Sequence, residues 1–500
     1  MNMATIATTG AQPMLDMIII GAGISGIGMA VHMRRDCPGK TIAIVERRDN
    51  LGGTWDLFRY PGVRSDSDMH TLGFSFEPWT HEKAIADGPS ILEYLNNITA
   101  KYDLAKDMHF GSKVVSADWD SKSACWTVTS EDAKGQQQVL RGRFLFLGSG
   151  YYDYDDPYDA GFAGRDTFKG QVIRPQFWPE GLDYTGKKVV VIGSGATAVT
   201  IVPAMAQGGA DHVTMLQRTP TWMASRPAKD ALANGMRKVL PEKIAYKLTR
   251  AKNILMQDFM YKRVRSQPEK AKEFLTKQVK GHLGEHYDEQ AFTPPYNPWE
   301  QRLCLVPDAD FFEAMKSGKA SIVTDRIASF DKTGIKLESG KHLDADIVVT
   351  ATGLNMTFAG KIAMKVDGEL VDFSKRFFYR NCMFSNIPNS AGIFGYVNAS
   401  WTLRVDIVAQ YLTRLLKQMD KYGAVVATPT MSADAIPEED DVFDFSSGYI
   451  QRGKAQMPKN AASLPWRLNQ EYRQDRRDMR QAPIDDGVLK FTRLQELVEG

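Results

Sequence analysis

Near-continuous apolar runs, more than alternating ones, punctuate the chain. Leu15–Ile20 reads L-D-M-I-I-I, Val189–Ile192 reads V-V-V-I, and Phe144–Leu147 and Ile347–Thr350 are runs of the same kind. Strands apolar on consecutive positions are buried on both faces, as in a parallel sheet covered by helices. After the first two runs the pattern turns to glycines and then to a helical stretch. Each unit closes on another short strand, Thr41–Val45 or His212–Leu216, which gives the strand–helix–strand order of a parallel crossover. Residues 90–102 predict a helix, and short strands follow through about residue 147. Residues 228–288 carry almost no strand signal. There Ile244, Leu248, Ala251, Leu255 and Phe259 recur at helical spacing with Lys and Arg between them. Residues 151–167 read as a linker, Glu438–Asp441 as a solvated acidic loop, and 469–480 as an Arg-rich surface helix.

The glycines between strand and helix add chemistry. Gly21, Gly23 and Gly26 have full G-x-G-x-x-G spacing, and Gly193, Gly195 and the small Ala198 repeat it in the second unit. The first glycine permits a tight turn, the second lets a pyrophosphate approach the backbone, and the third small residue allows close helix–strand packing. Glu46 ends the second strand of the first unit, 20 residues past Gly26, where an acid can bond both hydroxyls of an adenosine ribose. The matching place in the second unit holds Gln217 and Arg218. A carboxylate repels a 2′-phosphate, whereas a guanidinium pairs with it. The first site therefore suits an unphosphorylated ribose, as in FAD, and the second suits NADPH. Two other turns look ligand-facing: Gly148–Gly150 after the run at 144–147, and Gly52–Trp55, either a surface turn over a packed Trp or a loop lying along a flavin ring.

Length and composition narrow the class. A chain of 500 residues with 43% apolar and 24% charged residues is an ordinary globular protein of several domains, and a net charge of +2 argues for no nucleic-acid partner. No apolar run is long enough for a membrane span. The basic amphipathic segment leaves peripheral membrane contact open, but packing on the nucleotide domain is the expected arrangement. Cys37, Cys125, Cys304 and Cys382 lie far apart. Their separation suits a reducing cytoplasm and excludes the closely spaced redox pair of a flavin disulfide reductase. No zinc-type spacing occurs, so no metal is expected. The fold class expected is α/β: two Rossmann-like dinucleotide-binding domains, for FAD and NADP, with a helical insertion in the second. The boundaries expected are a flexible tail (1–14), the FAD-binding domain (15–150), a linker (151–180) and the NADP-binding domain (181–225 and 300–350). The helical insertion covers 226–299, and residues 351–500 return to the FAD domain and form a C-terminal segment.

Longer motifs point to a family. G-T-W-D-L-F-R-Y-P-G from Gly53, R-S-D-S-D-M from Arg64 and F-K-G-Q-V-I-R-P-Q-F-W-P from Phe168 join Y-N-P-W-E-Q-R-L-C-L-V-P from Tyr296, the late A-T-G at Ala351 and N-A-S-W-T-L from Asn398. Together with the two glycine turns they resemble class B flavoprotein monooxygenases, and within these a Baeyer–Villiger monooxygenase of the ethionamide-activating branch. The resemblance implies that Gly21, Gly23, Gly26 and Glu46 hold the adenosine half of FAD and that Gly53, Thr54 and Trp55 lie on the flavin side. It assigns NADPH to Gly193, Gly195, Ala196 and Arg218, makes Arg302 the active-site arginine paired with Asp66, and adds Thr352 and Asn398 as cofactor contacts. The activity implied is insertion of one O2 oxygen into ketones, giving esters or lactones, and oxygenation of sulfides and thioamides, through a peroxide at the flavin C4a carbon.

This chain departs from the family pattern at Arg174, where the linker fingerprint has a histidine. No histidine occurs between His109 and His212. Arg is a permanent cation with donors only, so it cannot replace an acid–base imidazole, but it can keep part of a hinge role. Gln301 is a second departure, where many relatives carry Lys. Two other readings stay open: an N- or S-hydroxylating flavin monooxygenase without ketone activity, and an uncoupled NADPH oxidase or redox sensor.

Overall fold

The computed structural model describes residues 13–441 and 445–499; most of the expected tail lies outside them. Two sheets, one mixed and one parallel, form where the apolar runs place them. In the first, β1 (Leu15–Ile20) lies between β2 (Ile42–Val45) and β6 (Gln137–Leu147), and β3 (Met108–His109) extends it beyond β2. Strand β6 has a double role. Residues 142–147 run parallel to β1, while 137–142 run antiparallel to β5 (Cys125–Glu131), which pairs with β4 (Lys113–Asp120). Ser390–Gly392 returns to pair with β6, so the far end of the chain completes this sheet.

The second sheet is parallel throughout. Its order is Ala320–Thr324, β9 (His212–Gln217), β8 (Lys188–Ile192), Ile347–Thr350 and β7 (Gln171–Ile173). Helix Ile24–Asp36 covers the first glycine turn and helix Ala196–Gln207 the second. A Cβ on Gly26 would stand 1.9 Å from the Gly21 carbonyl, so a side chain there would push the helix off its strand.

The insertion is helical, as the missing strand signal implies: Ala231–Val239, Glu242–Ser266 and Pro268–Leu283. It leaves and returns through two paired parallel strands, Met223–Arg226 and Cys304–Pro307. Helix Pro268–Leu283 packs Val279 and Leu283 into the core of the second sheet. The long helix Glu242–Ser266 corrects the expected packing. Its apolar stripe does not face the nucleotide domain. The buried face is instead Ala245, Tyr246, Thr249, Arg250 and Asn253, and it lies against residues 68–74 of the first unit. Hydrogen-bonding geometry decided this. Arg250 donates to the carbonyls of His70, Thr71 and Gly73 and to Asp406, bonds that only one rotation of the helix permits. Among the described residues no helix is long and apolar enough to cross a membrane.

Asp406, on helix Trp401–Tyr422, also receives the Ser75 N–H and bonds His32, whose other ring nitrogen meets Asp36. Three helices and one loop thus converge on one buried carboxylate. Removing one partner of such a pair costs about 3–5 kcal/mol, because the other charge stays buried. Burial opposes the charge on His32, but its hydrogen bonds to Asp36 and Asp406 outweigh burial and raise its pKa above the ordinary 6.5. Its stabilising contribution is therefore complete below the unfolded value and lost as pH rises through the folded one. Thermal melts across a pH series should show His32→Asn depressing the melting temperature most at low pH, with a narrowing gap as pH rises. A gap that widened with pH would contradict this assignment.

Candidate functional site

One cleft lies at the carboxyl ends of the parallel strands, where open α/β sheets bind ligands. Its floor is the turn after β1 (Gly21, Gly23), the end of β2 (Glu46) and the turn after β6 (Gly148–Gly150); Gly53, Thr54 and Trp55 form one wall. Ala196 and Thr197, at the start of the second unit's helix, and Arg302 close it from the other side.

Glu46 is buried with its carboxylate already oriented. One oxygen accepts the Ala22 N–H at 2.8 Å and the other the Arg48 N–H at 2.9 Å. Each oxygen keeps a lone pair for a hydroxyl donor. Burial pushes the Glu46 pKa up, against those two backbone bonds. A Cβ on Gly53 would stand 3.0 Å from the Gly23 Cα, so the two turns come together backbone to backbone.

Asp66 and Arg302 come from loops of different units and meet here, Arg302 Nε to Asp66 Oδ2 at 2.8 Å, each side chain about one-third exposed (32% and 37%). The Asp66 carboxylate raises the guanidinium's pKa further, so Arg302 stays a cation. Its Nε is committed to Asp66, and the terminal nitrogens remain for other acceptors.

Sequence reasoning missed the aromatic wall around this cation. Tyr151 and Tyr152 join hydroxyls at 2.9 Å, and Tyr151 stacks on Trp401 with centroids 5.3 Å apart. Tyr449, from the C-terminal segment, lies beside Arg302, and burial raises its pKa against the pull of that cation. Burial likewise pushes Tyr60 up to about 12. These hydroxyls therefore stay protonated donors at neutral pH. Residues 151–155, expected as linker, are cleft wall. The only sequence signal there was the density of tyrosines, and Tyr449 had none.

The remaining residues singled out in the sequence lie outside the cleft lining. Gly26 is beneath its floor, buried in the helix. Gly193 makes the second turn at φ +132°, and next to it Gly195 opens on empty space. Arg218 is exposed immediately after β9. Thr352 has a buried hydroxyl with no partner, one residue after the Ala351 carbonyl that crowds Gly193. An orphaned hydroxyl beside an open backbone turn is a cradle that fits a dinucleotide, as does the Glu46 turn. Asn398 stands between Val397 and Ala399, which line the cleft. Arg174 is away from it, bonded to Asp159 Oδ2 at 2.7 Å, a carboxylate shared with Arg165.

The chain is similar to known flavin-dependent monooxygenases. A family model described as flavin-binding monooxygenase-like matches residues 15–431. The probable FAD-binding monooxygenase AlmA of Acinetobacter baylyi is 50% identical over 485 residues, 97% of each chain. The FAD-containing monooxygenase EthA of Mycobacterium tuberculosis is 48% identical over 96% of this chain and 98% of its own. In fold, the chain is similar to an oxidized steroid monooxygenase bound to NADP, with a TM-score of 0.78 at 22% identity over 96% of this chain and 100% of that one. It is also similar to a cyclohexanone monooxygenase bound to epsilon-caprolactone, with a TM-score of 0.75 at 21% identity over the same shares.

Proposed function

Because this chain belongs to the flavin-binding monooxygenase-like family, we propose that it uses FAD and NADPH to transfer one atom of O2 to small ketones and sulfides. For a ketone the balance is ketone, O2, NADPH and a proton giving ester or lactone, water and NADP+. A sulfide or thioamide sulfur takes the same oxygen atom to become an S-oxide. The observation that supports this reading best is that the Arg302–Asp66 pair shares one cleft with the Gly21 turn and Glu46.

The turn at Gly21 and Gly23, with Glu46, would hold the adenosine half of FAD, and Gly53, Thr54 and Trp55 its flavin side. Gly193, Gly195, Ala196, Thr352 and Arg218 would hold NADPH, with Asn398 contributing beside the cleft. FAD, when bound, supplies the two-electron and oxygen chemistry. The protein's part is electrostatic. Arg302, held charged by Asp66, places a fixed positive charge where negative charge develops on oxygen, and such preorganised charge is worth most in a site that excludes water. Tyr449 and the Tyr151–Tyr152 pair stay neutral: a phenol oxygen accepts from the guanidinium and orients it, and a hydroxyl hydrogen is left to donate to a substrate oxygen. The Trp401 and Tyr151 rings cover that side of the cleft with apolar surface. The four cysteines are free and buried, which fits the reducing cytoplasm as its compartment.

Arg302→Ala should abolish ester formation while bound flavin stays near the parental level, checked by product analysis and visible absorbance. Ester made at the parental rate would refute the role of the cation. A ketone and a thioether assayed together separate this reading from a purely N- or S-hydroxylating enzyme, which oxygenates the thioether alone.

Arg218→Ala should raise the KM for NADPH on the order of ten-fold with little change in kcat, since the 2′-phosphate is remote from the reacting carbon. The NADPH/NADH preference is the measurement, and an unchanged ratio would reject the assignment. Arg174 is not a cleft acid or base, so Arg174→His should alter product formed per NADPH consumed, or kcat, without changing FAD content. Equal coupling and kcat in the two proteins would mark position 174 as a neutral linker residue.

A further inference from the structure

The outward face of the helix Glu242–Ser266 is apolar for most of its length. Ile244, Leu248, Leu255 and Phe259 are 49%, 50%, 51% and 60% exposed, and their spacing puts them on one stripe. Leu232 and Val239, on the preceding helix, are 57% and 78% exposed. Single exposed apolar side chains are ordinary, but a continuous stripe on a monomer marks a surface that another phase or molecule covers. Turning the helix to hide it is forbidden, because Arg250 and Asn253 anchor the opposite face to Asp406 and Asp68.

Charge selects the occupant. Residues 231–266 hold nine Lys and Arg against two acidic residues in a chain whose net charge is only +2. Lys238, Lys243, Lys247 and Arg263 are exposed and, among the described residues, make no ion pair, whereas the acidic Asp258 is already taken by Lys262 and Arg473. An apolar stripe bordered by unpaired cations is complementary to an anionic lipid surface, where acyl chains meet the stripe and headgroups meet the lysines. A protein partner would have to supply both an apolar groove and a row of acids.

We infer that this helical face docks the enzyme on an anionic membrane surface. The helix lies in the interface and does not span it. Docking would set the cleft beside the bilayer, since Tyr261, near the end of the same helix, packs edge-on against Trp299 at 5.4 Å, on the loop that carries Arg302. The inference rests on the surface alone and stands whatever substrate the cleft accepts.

Flotation of purified holoprotein with large unilamellar vesicles is the test, using phosphatidylcholine alone and phosphatidylcholine with phosphatidylglycerol. The protein should float with the anionic vesicles at about 0.1 M salt and much less at about 1 M, where surface charges are screened. Leu248→Ser with Phe259→Ser should reduce the bound fraction at least ten-fold, and Lys243→Gln with Lys247→Gln should weaken it several-fold. Circular dichroism and flavin content check that both variants are folded. If the serine pair is unfolded, Leu232→Ser with Val239→Ser takes its place. Failure of the parent to float with anionic vesicles, or equal flotation of the serine variant, would overturn the inference. So would a lipid-free dimer, seen by analytical ultracentrifugation, that the serine variant abolishes, because a second copy would then be the occupant.

Discussion

Asp66 and Arg302 belong to different nucleotide-binding units, and their 2.8 Å ion pair joins a loop of one unit to a loop of the other across the cleft. The pair is partly exposed, and exposed pairs are worth about 0–1 kcal/mol, so its importance is positional. It works because the segment before Asp66 already lies on the second unit. Gly62 (φ +76°) sits against helix Ala196–Gln207, where a Cβ would come within 2.7 Å of the Ala204 side chain. Arg64 then reaches Asp310, with both charged groups mostly buried. Three contacts within five residues hold the two sheets at one separation, and that separation sets the width of the cleft.

A second constraint holds the insertion. Asp406 gathers His32, Ser75 and Arg250 around one buried carboxylate. That cluster fixes how the helix Glu242–Ser266 is rotated, and the rotation decides which of its faces meets solvent. Interior packing of an arginine thereby determines the chemistry of an outer surface. The same helix reaches the Arg302 loop through Tyr261 and Trp299, so insertion and cleft are parts of one packed unit.

The C-terminal segment has a comparable role on the other side of the cleft. Ser446 bonds twice to the Glu300 carbonyl, two residues before Arg302, and Arg452 lies over the Tyr158 ring at 3.7 Å. These contacts bring Tyr449 to the guanidinium. Arg174, by contrast, is satisfied within the linker by Asp159, so the position where the fingerprint histidine is missing lies away from the Arg302 cation.

By itself the sequence determined what local chemistry dictates. Apolar runs specified strands buried on both faces, and glycine spacing specified two close-approach turns. These features were legible because each needs only neighbours within about thirty residues, one crossover unit. The aromatic wall was not legible. Tyr151 is 250 residues from Trp401 and 298 from Tyr449, and they meet only because Ser390–Gly392 pairs with β6 and the C-terminal segment folds back. The facing of the insertion helix was hidden for a different reason. Its apolar periodicity pointed inward, but the buried Arg250 has its acceptors, the carbonyls of His70, Thr71 and Gly73 and the Asp406 carboxylate, on the opposite face. Leaving buried polar groups unpaired costs more than exposing a few apolar side chains, and only the tertiary structure puts those two demands in competition.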